Sequence, residues 1–287
     1  MPFLSLPLIS RRSVALAPFG IVMSRAATTS QHWALLSDTH IPANAEDSYR
    51  GFKPVENLKT VAAQVAAAKP ESAFICGDLA RLEGLPADYE QLKGLLAPVT
   101  DKAPTAMILG NHDNRKNFLA GFSSSQKGTQ SVQGKHVLVV DGPAVRFVFL
   151  DSLLQSNVTP GQLGKAQRSW LSEFLKNSND KPTMIAVHHP PDDGDGSLTD
   201  FQFLFQIVKP HKKVKAIFYG HSHVYRYDVM DGIHLVNLPA IGYNFSDDQP
   251  VGWVDSVLTA QGGDFTLHAI GGNREKDGKT VSLKWRG

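Results

Sequence analysis

Ser37-Asp38-Thr39-His40, after the β-forming run Trp33 to Leu36, and Gly220-His221-Ser222-His223, after Ala216 to Tyr219, decide how this chain folds. Each hydrophobic run reads as a buried strand that ends and opens into a loop bearing acid and imidazole groups. Three more segments share the design. Ala73 to Cys76 runs into Gly77-Asp78, Ala106 to Leu109 into Gly110-Asn111-His112-Asp113, and Met184 to Val187 into His188-His189-Pro190. In an open α/β sheet the ligand site lies outside the carboxyl ends of the strands. Strands lying side by side would bring Asp38, His40, Asp78, Asn111, His188, His221 and His223 into one cleft.

Those donors are the chemistry of a metal site. Imidazole, carboxylate and amide oxygen suit Zn, Mn, Fe and related divalent ions. No thiolate belongs to the set, because the only cysteine, Cys76, lies in a strand body. Seven donors are too many for one tetrahedral ion. They suit two ions sharing a carboxylate, and a pair about 3.5–4 Å apart is a known device for hydrolysing phosphate esters. Any one of these histidines alone reads as a surface or core residue; five strand-end blocks together do not.

The order Asp38-x-His40, Gly77-Asp78, Gly110-Asn111-His112-Asp113, His188-x-Pro190, Gly220-His221-x-His223 resembles the calcineurin-like metallophosphoesterases over most of the chain. The resemblance implies an α/β fold in which a two-sheet β-sandwich is flanked by helices. It implies one ion held by Asp38, His40, Asp78 and His223, and a second held by Asp78, Asn111, His188 and His221, with Asp78 bridging. The implied cofactors are two divalent or mixed-valence transition-metal ions, Mn, Fe or Zn. The His-x-Pro spacing selects His188 as the ligand and leaves His189 as a supporting or satisfied neighbour. In the family the histidine at the place of His112 faces the substrate, stabilising the transition state or protonating the leaving oxygen. Asp113 could hold the His112 ring, or cap the helix that follows.

Asn111 to Arg115 with Phe118, and Gly77-Asp78-Leu79 with Gly84, Pro86, Tyr89 and Leu92, resemble the class III cyclic-nucleotide phosphodiesterase branch. Ala80 and Arg81 depart from it, standing where many members have a polar residue and Asp. The implied reaction is phosphate-ester hydrolysis through a hydroxide shared by the ions, on cyclic nucleotides or related diesters. The alternatives are a broad phosphomonoesterase and, from another class, a non-catalytic scaffold of the same fold. A scaffold should have lost ligands or His112, and none is lost. A purple-acid-type site needs a tyrosine just after the second aspartate block, where Leu79, Ala80 and Arg81 stand. Arg81 and Arg115 are the candidate extra cations near the blocks; Tyr243, Asn244 and Phe245 are candidates for the cleft rim, and Trp253 for the core.

The 287 residues, 42% hydrophobic and 20% charged, suit a single domain over 31–287. A net charge of +2 argues for a small phosphate ester rather than nucleic acid as the partner. No apolar run approaches the ~20 residues of a membrane helix. Residues 1–30, with Arg11-Arg12 ahead of the mostly apolar Ser13 to Met23 and then Ser24 to Ala27, read as a twin-arginine-like export signal or a disordered extension. The first reading places the protein in the periplasm or outside the cell, the second in the cytoplasm. Oligomeric state is not legible.

Periodicity predicts helices from Pro54 to Lys69, about Ala87 to Leu96, Asn114 to Phe122, Gly164 to Lys176 and Phe201 to Val208. It predicts a hairpin of Val137–Val140 with Val145–Leu150. Val224–Val229, Ile233–Asn237, Val251–Leu258 and Phe265–Ala269 read as successive strands of the sandwich's second half. A Ser/Gly-rich loop is expected through Gly134, and a solvated acidic loop over Pro191 to Asp195. Asp151, at the hairpin's end, reads as a turn or supporting residue.

Overall fold

Alternating side chains on the central strands build two cores at once, because successive residues of a strand point to opposite faces. In β1 (Ser30–Leu36), Trp33 and Leu35 enter a core between two sheets, while Ala34 and Leu36 enter a second core under helices. In β2 (Ser72–Cys76), Phe74 and Cys76 enter the first core and Ala73 and Ile75 the second. Strands buried on both faces read as continuous hydrophobic runs, which is why they were legible. The computed structural model describes residues 29–122 and 126–287, so the export-signal expectation lies outside the described residues but for Thr29 and Ser30.

One sheet has the order β13 (Thr280–Lys284), β12 (Gly262–Gly272), β11 (Pro250–Thr259), β1, β2, β3 (Thr105–Ile108). The other has the order β4 (Thr129–Val132), β5 (Lys135–Asp141), β6 (Arg146–Phe149), β7 (Thr183–Ala186), β8 (Val214–Tyr219), β10 (Ile233–Asn237), β9 (Arg226–Met230). Helices α1 (Pro54–Ala68), α2 (Pro86–Thr100) and α3 (Arg115–Phe122) cover the first sheet, and α4 (Gly164–Asn177) and α5 (Phe201–Val208) the second. This is the expected two-sheet sandwich flanked by helices. Among the described residues no helix is long and apolar enough to cross a membrane.

The helix limits follow local chemistry. Pro54 opens α1, and Lys69, in the left-handed region at φ 55°, closes it by donating its backbone N–H to Val65 before Pro70. The second helix runs one turn beyond its expected end, through Pro98 to Thr100.

Two expectations need correction. The last strands do not all complete the second sheet. The antiparallel pairing of β11 with β1, Trp33 opposite Ser256, returns β11 to β13 to the first sheet. Trp253 faces the helix core and Val254 and Leu258 the inter-sheet core, so β11 is buried on both sides like its neighbour. The expected loop before Gly134 contains β4, an edge strand whose mostly polar residues carry little strand signal.

The strand ends that carry the blocks also do not lie in one sheet. The tips of β1, β2 and β3 belong to one sheet and those of β7 and β8 to the other. Backbone hydrogen bonds continue between the loops: Asp38 N to Gly77 O at 3.1 Å, His40 N to Asp78 O at 2.9 Å and Gly220 N to His188 O at 3.0 Å. A bond from Ile241 N to Ser37 O, at 3.0 Å, joins the loop after β10 to the tip of β1.

Candidate metal centre

Among the described residues ten non-glycine residues have φ in the left-handed region, and five of them are Asp38 (51°), His40 (47°), Asp78 (45°), His221 (65°) and His223 (53°). Such a conformation costs on the order of 1–3 kcal/mol per residue and persists where surrounding contacts enforce it. Here the loop-to-loop hydrogen bonds enforce it, and the sharp reversal turns each side chain back over the strand ends. The glycines of the blocks are steric requirements. A Cβ on Gly110 would strike the Asp78 backbone and carboxylate and come within 2.6 Å of His188 Nε2. A Cβ on Gly220 would strike Ser37 Oγ and the Asp38 carboxylate.

Asp78 Oδ2 lies 3.7 Å from His40 Nε2 and 3.4 Å from His188 Nε2, so one oxygen faces both groups of donors. Its other oxygen accepts the His112 backbone N–H at 2.9 Å. Asp38 Oδ1 lies 3.4 Å from His223 Nε2 and 4.0 Å from His40 Nε2. The carboxylate of Asp38 also accepts the Ser37 hydroxyl and the His221 N–H. The Nε2 atoms of His40 and His223 face each other at 3.0 Å. His188 donates Nδ1–H to the Cys76 carbonyl at 2.7 Å, which leaves its Nε2 lone pair for the cleft.

Several buried donor atoms find no partner in the protein: Asn111 Oδ1, His188 Nε2 and His221 Nδ1. A buried polar atom left unpaired costs about 1–3 kcal/mol. Unpaired lone pairs beside two buried carboxylates, with glycines clearing the space, fit a pair of cations. Charge points the same way. Burial works against ionising Asp78, but the charges of His188, His40 and His112 hold its pKa well below the usual range. Burial likewise opposes the charge on Asp38, which His223 and His188 overcome. Burial, with the neighbouring imidazoles of His223 and His112, pushes His40 down to about 3, and burial with the His188 charge takes His221 to about 4. Burial opposes protonation of His188 too, yet Asp78 and Asp38 lift it to about 9. Without ions the two anions stand beside a protonated His188 and neutral His40 and His221, and a cation can take the place of the His188 proton.

His112 is half-buried beside His40, with ring centroids 5.4 Å apart. Its Nδ1 meets the Leu82 carbonyl at 3.1 Å; a carbonyl only accepts, so Nδ1 carries the proton and Nε2 is left for the cleft. Asp113 is not the residue that orients this ring, which corrects the expectation. Its buried carboxylate accepts the backbone N–H groups of Leu79, Ala80 and Gly110 and the Tyr89 hydroxyl, at 2.9–3.2 Å. It ties the Asp78 loop to the Asn111 loop from beneath. Burial and the Asp78 charge raise its pKa to about 7.

Arg115, offered by the sequence as a cleft cation, is fully engaged elsewhere. It grips both oxygens of buried Asp151, at 2.6 and 3.0 Å, and the Leu153 carbonyl at 2.8 Å. Asp151 therefore supports a loop, as expected. Arg81 stacks on Tyr49, 5.3 Å from the ring centroid. Trp253 is buried and donates Nε1–H to Gln64, a core role. His189 is half satisfied: Nδ1 meets the Ser152 hydroxyl at 2.7 Å, while Nε2 is buried without a partner, and its donor atom groups with those of His188 and His221. In the acidic loop Asp192 turns inward onto Ser197 and Gly194. Sequence reading missed the Leu82 and Cys76 carbonyls and the Tyr89 hydroxyl, since no residue type announces a carbonyl's direction.

Residues 33–225 match the family model of the calcineurin-like phosphoesterases, a span holding all five blocks. A Rhodopseudomonas palustris protein described as a "probable cyclic nucleotide phosphodiesterase" is 30% identical over 202 residues, 67% of this chain and 71% of its own. A 3′,5′-cyclic-nucleotide phosphodiesterase of a Nostoc species is 26% identical over 227 residues, 74% of this chain and 79% of its own. A dimetal phosphatase from Danio rerio superposes with a TM-score of 0.68 at 14% identity, covering 89% of this chain and 99% of its own. That last likeness speaks for the fold alone.

Proposed function

The chain belongs to the calcineurin-like phosphoesterases, and on that premise we propose that it hydrolyses phosphodiesters, cyclic nucleotides or related esters, with two Mn, Fe or Zn ions held by the seven strand-end donors. The observation that carries the two-ion reading is Asp78 Oδ2, within 3.7 Å of a histidine from each group. Asp38, His40, Asp78 and His223 would hold one ion, and Asp78, Asn111, His188 and His221 the other. When bound, the pair supplies Lewis acidity to the phosphate oxygens and a water of lowered pKa.

The remaining work falls to the protein. Asn111 offers a neutral oxygen, so the site does not gather more negative charge against a phosphate anion. His112, oriented by the Leu82 carbonyl, presents Nε2 to a phosphoryl or leaving oxygen, accepting or donating a proton there. Ser37 and the His221 N–H hold Asp38, and the Cys76 carbonyl holds His188, so that the donors stay aimed.

What favours a diester is the shortage of cations. A monoester is a dianion at neutral pH and a diester a monoanion. Arg115 is consumed by Asp151, and Arg81 stands at the rim on Tyr49 rather than among the donors. The names carried by the Rhodopseudomonas and Nostoc relatives support the same choice. With metal-loaded protein, kcat/KM for bis(p-nitrophenyl) phosphate should exceed that for p-nitrophenyl phosphate, with measurable turnover of 2′,3′- or 3′,5′-cyclic nucleotides. A tenfold preference for the monoester, about 1.36 kcal/mol in activation free energy, would overturn the diesterase reading.

A further inference from the structure

We propose that Phe245, with Tyr49 and Tyr243, forms a stacking platform beside the metal centre that takes the planar base of a nucleotide. The proposal rests on the reading that a phosphate ester occupies the cleft. Phe245 lies flat on His223, with ring centroids 4.3 Å apart and planes 18° from parallel, yet it remains 49% exposed. Tyr243 lies beneath, packed on His40 at 4.7 Å and on His223 at 4.8 Å. Tyr49, 41% exposed, abuts Tyr243 at 4.6 Å. Contiguous apolar surface left in water beside a cleft marks an interaction site or a ligand groove.

The platform is held rigid from two distant loops. Tyr49 and Phe52 exchange both backbone hydrogen bonds at 2.9 Å around Arg50 and Gly51, whose φ values are 52° and 83°. That is the geometry of a two-residue hairpin turn with positive φ at both central positions. Arg50 then reaches across and donates Nη2–H to the Phe245 carbonyl at 2.6 Å. From below, Asn57 Nδ2 holds the carbonyls of Ile241 and Gly242, both at 2.9 Å. Rings fixed before a ligand arrives lose little entropy on binding it.

Charge fits the same occupant. The Arg81 guanidinium lies over Tyr49, 5.3 Å from its centroid, and that of Arg50 over Phe245, at 6.0 Å. Guanidinium planes beside aromatic rings are the pairing that stacks bases without reading their sequence. Phe245 stacks directly on His223, one of the metal donors, so a phosphate held at the centre and a base on Phe245 can belong to one nucleotide.

The test is calorimetric titration of the metal-loaded full-length protein with adenosine 5′-monophosphate and with ribose 5-phosphate. The wild type should bind the nucleotide at least about fivefold more tightly, the low end of one base stack. Phe245→Leu keeps bulk on His223 but loses the plane, and should bring the ratio towards one with metal content unchanged; Phe245→Trp should preserve it. Equal binding of the two ligands by the wild type overturns the platform. So does a Phe245→Leu protein that weakens both ligands equally or loses metal, since Phe245 would then only shield His223. The ratio is read without turnover. A protein that keeps it but prefers monoesters would overturn the diesterase reading alone.

Discussion

The floor and the rim of the cleft are built by opposite means. On the floor, Asp38, His40, Asp78, Asn111, His188 and His223 are at most 3% exposed, and several stand on strained backbone. On the rim, Phe245 and Tyr49 keep large apolar faces in water. The floor leaves buried lone pairs without partners, and the rim leaves aromatic surface without cover. Each is incomplete in a way that names what completes it: cations below, a flat apolar group above. On the proposed reading, the difference teaches that affinity for the reacting phosphate and choice of the esterified group would be carried by separate residues.

The hardest way to break the floor is to remove what it holds. Chelation should abolish hydrolysis, and about two equivalents of Mn, Fe or Zn should restore it. Asp78→Ala should do the same irreversibly, with metal content falling along with rate, because one oxygen serves both groups of donors. Full activity of metal-stripped protein would sink the two-ion reading.

His112 stands where floor meets rim, and its variant sharpens the boundary. His112→Ala should keep both ions by metal analysis and lose on the order of 10²–10⁴ in kcat, the usual span for general acid–base help. A variant that loses metal would move His112 to the floor, and one with normal turnover would remove it from the chemistry.

The smallest expected effect on chemistry is at Asp113, which lies under the floor. Asp113→Ala strands the N–H groups of Leu79, Ala80 and Gly110 and the Tyr89 hydroxyl. Each buried orphan costs about 1–3 kcal/mol, partly relieved by relaxation. Denaturant unfolding should therefore show a loss of several kcal/mol, with the folded fraction retaining a His112-dependent rate. If Asp113 instead acted through His112, the single variants would cost similar factors in kcat and the double variant no more than either.

The two regions also differ in how far they could be read in advance. The floor was legible because each block is local: a run of β-formers, then donors, within about eight residues, with a glycine between them in three of the five. Asp78 and His188 were named on that ground, and His112 on the family resemblance carried by the same block. The rim was named only as candidates, since Arg50 and Phe245 meet across 195 residues. Asp113 takes neither of the two roles weighed for it, holding the His112 ring or capping the next helix, because adjacency in the chain says nothing about direction. Between them the backbone turns, and Asp113 points down to four donors while the His112 ring points to Leu82. Arg115 stayed a candidate for the same reason, as its partner Asp151 lies 36 positions on.

By itself the sequence determined the strands that could be buried on both faces, the chemistry at their ends and the family to which that order belongs. These are properties of short stretches, set by side-chain period and residue type. Only the tertiary structure decided that the tips come from two sheets and that β11 to β13 return to the first. It alone decided that Asp78 presents one oxygen to both sides and that an aromatic shelf flanks His223. Pairing partners and side-chain directions depend on backbone reversals at single residues, such as Asp78 at φ 45°, and on contacts between segments far apart in the chain.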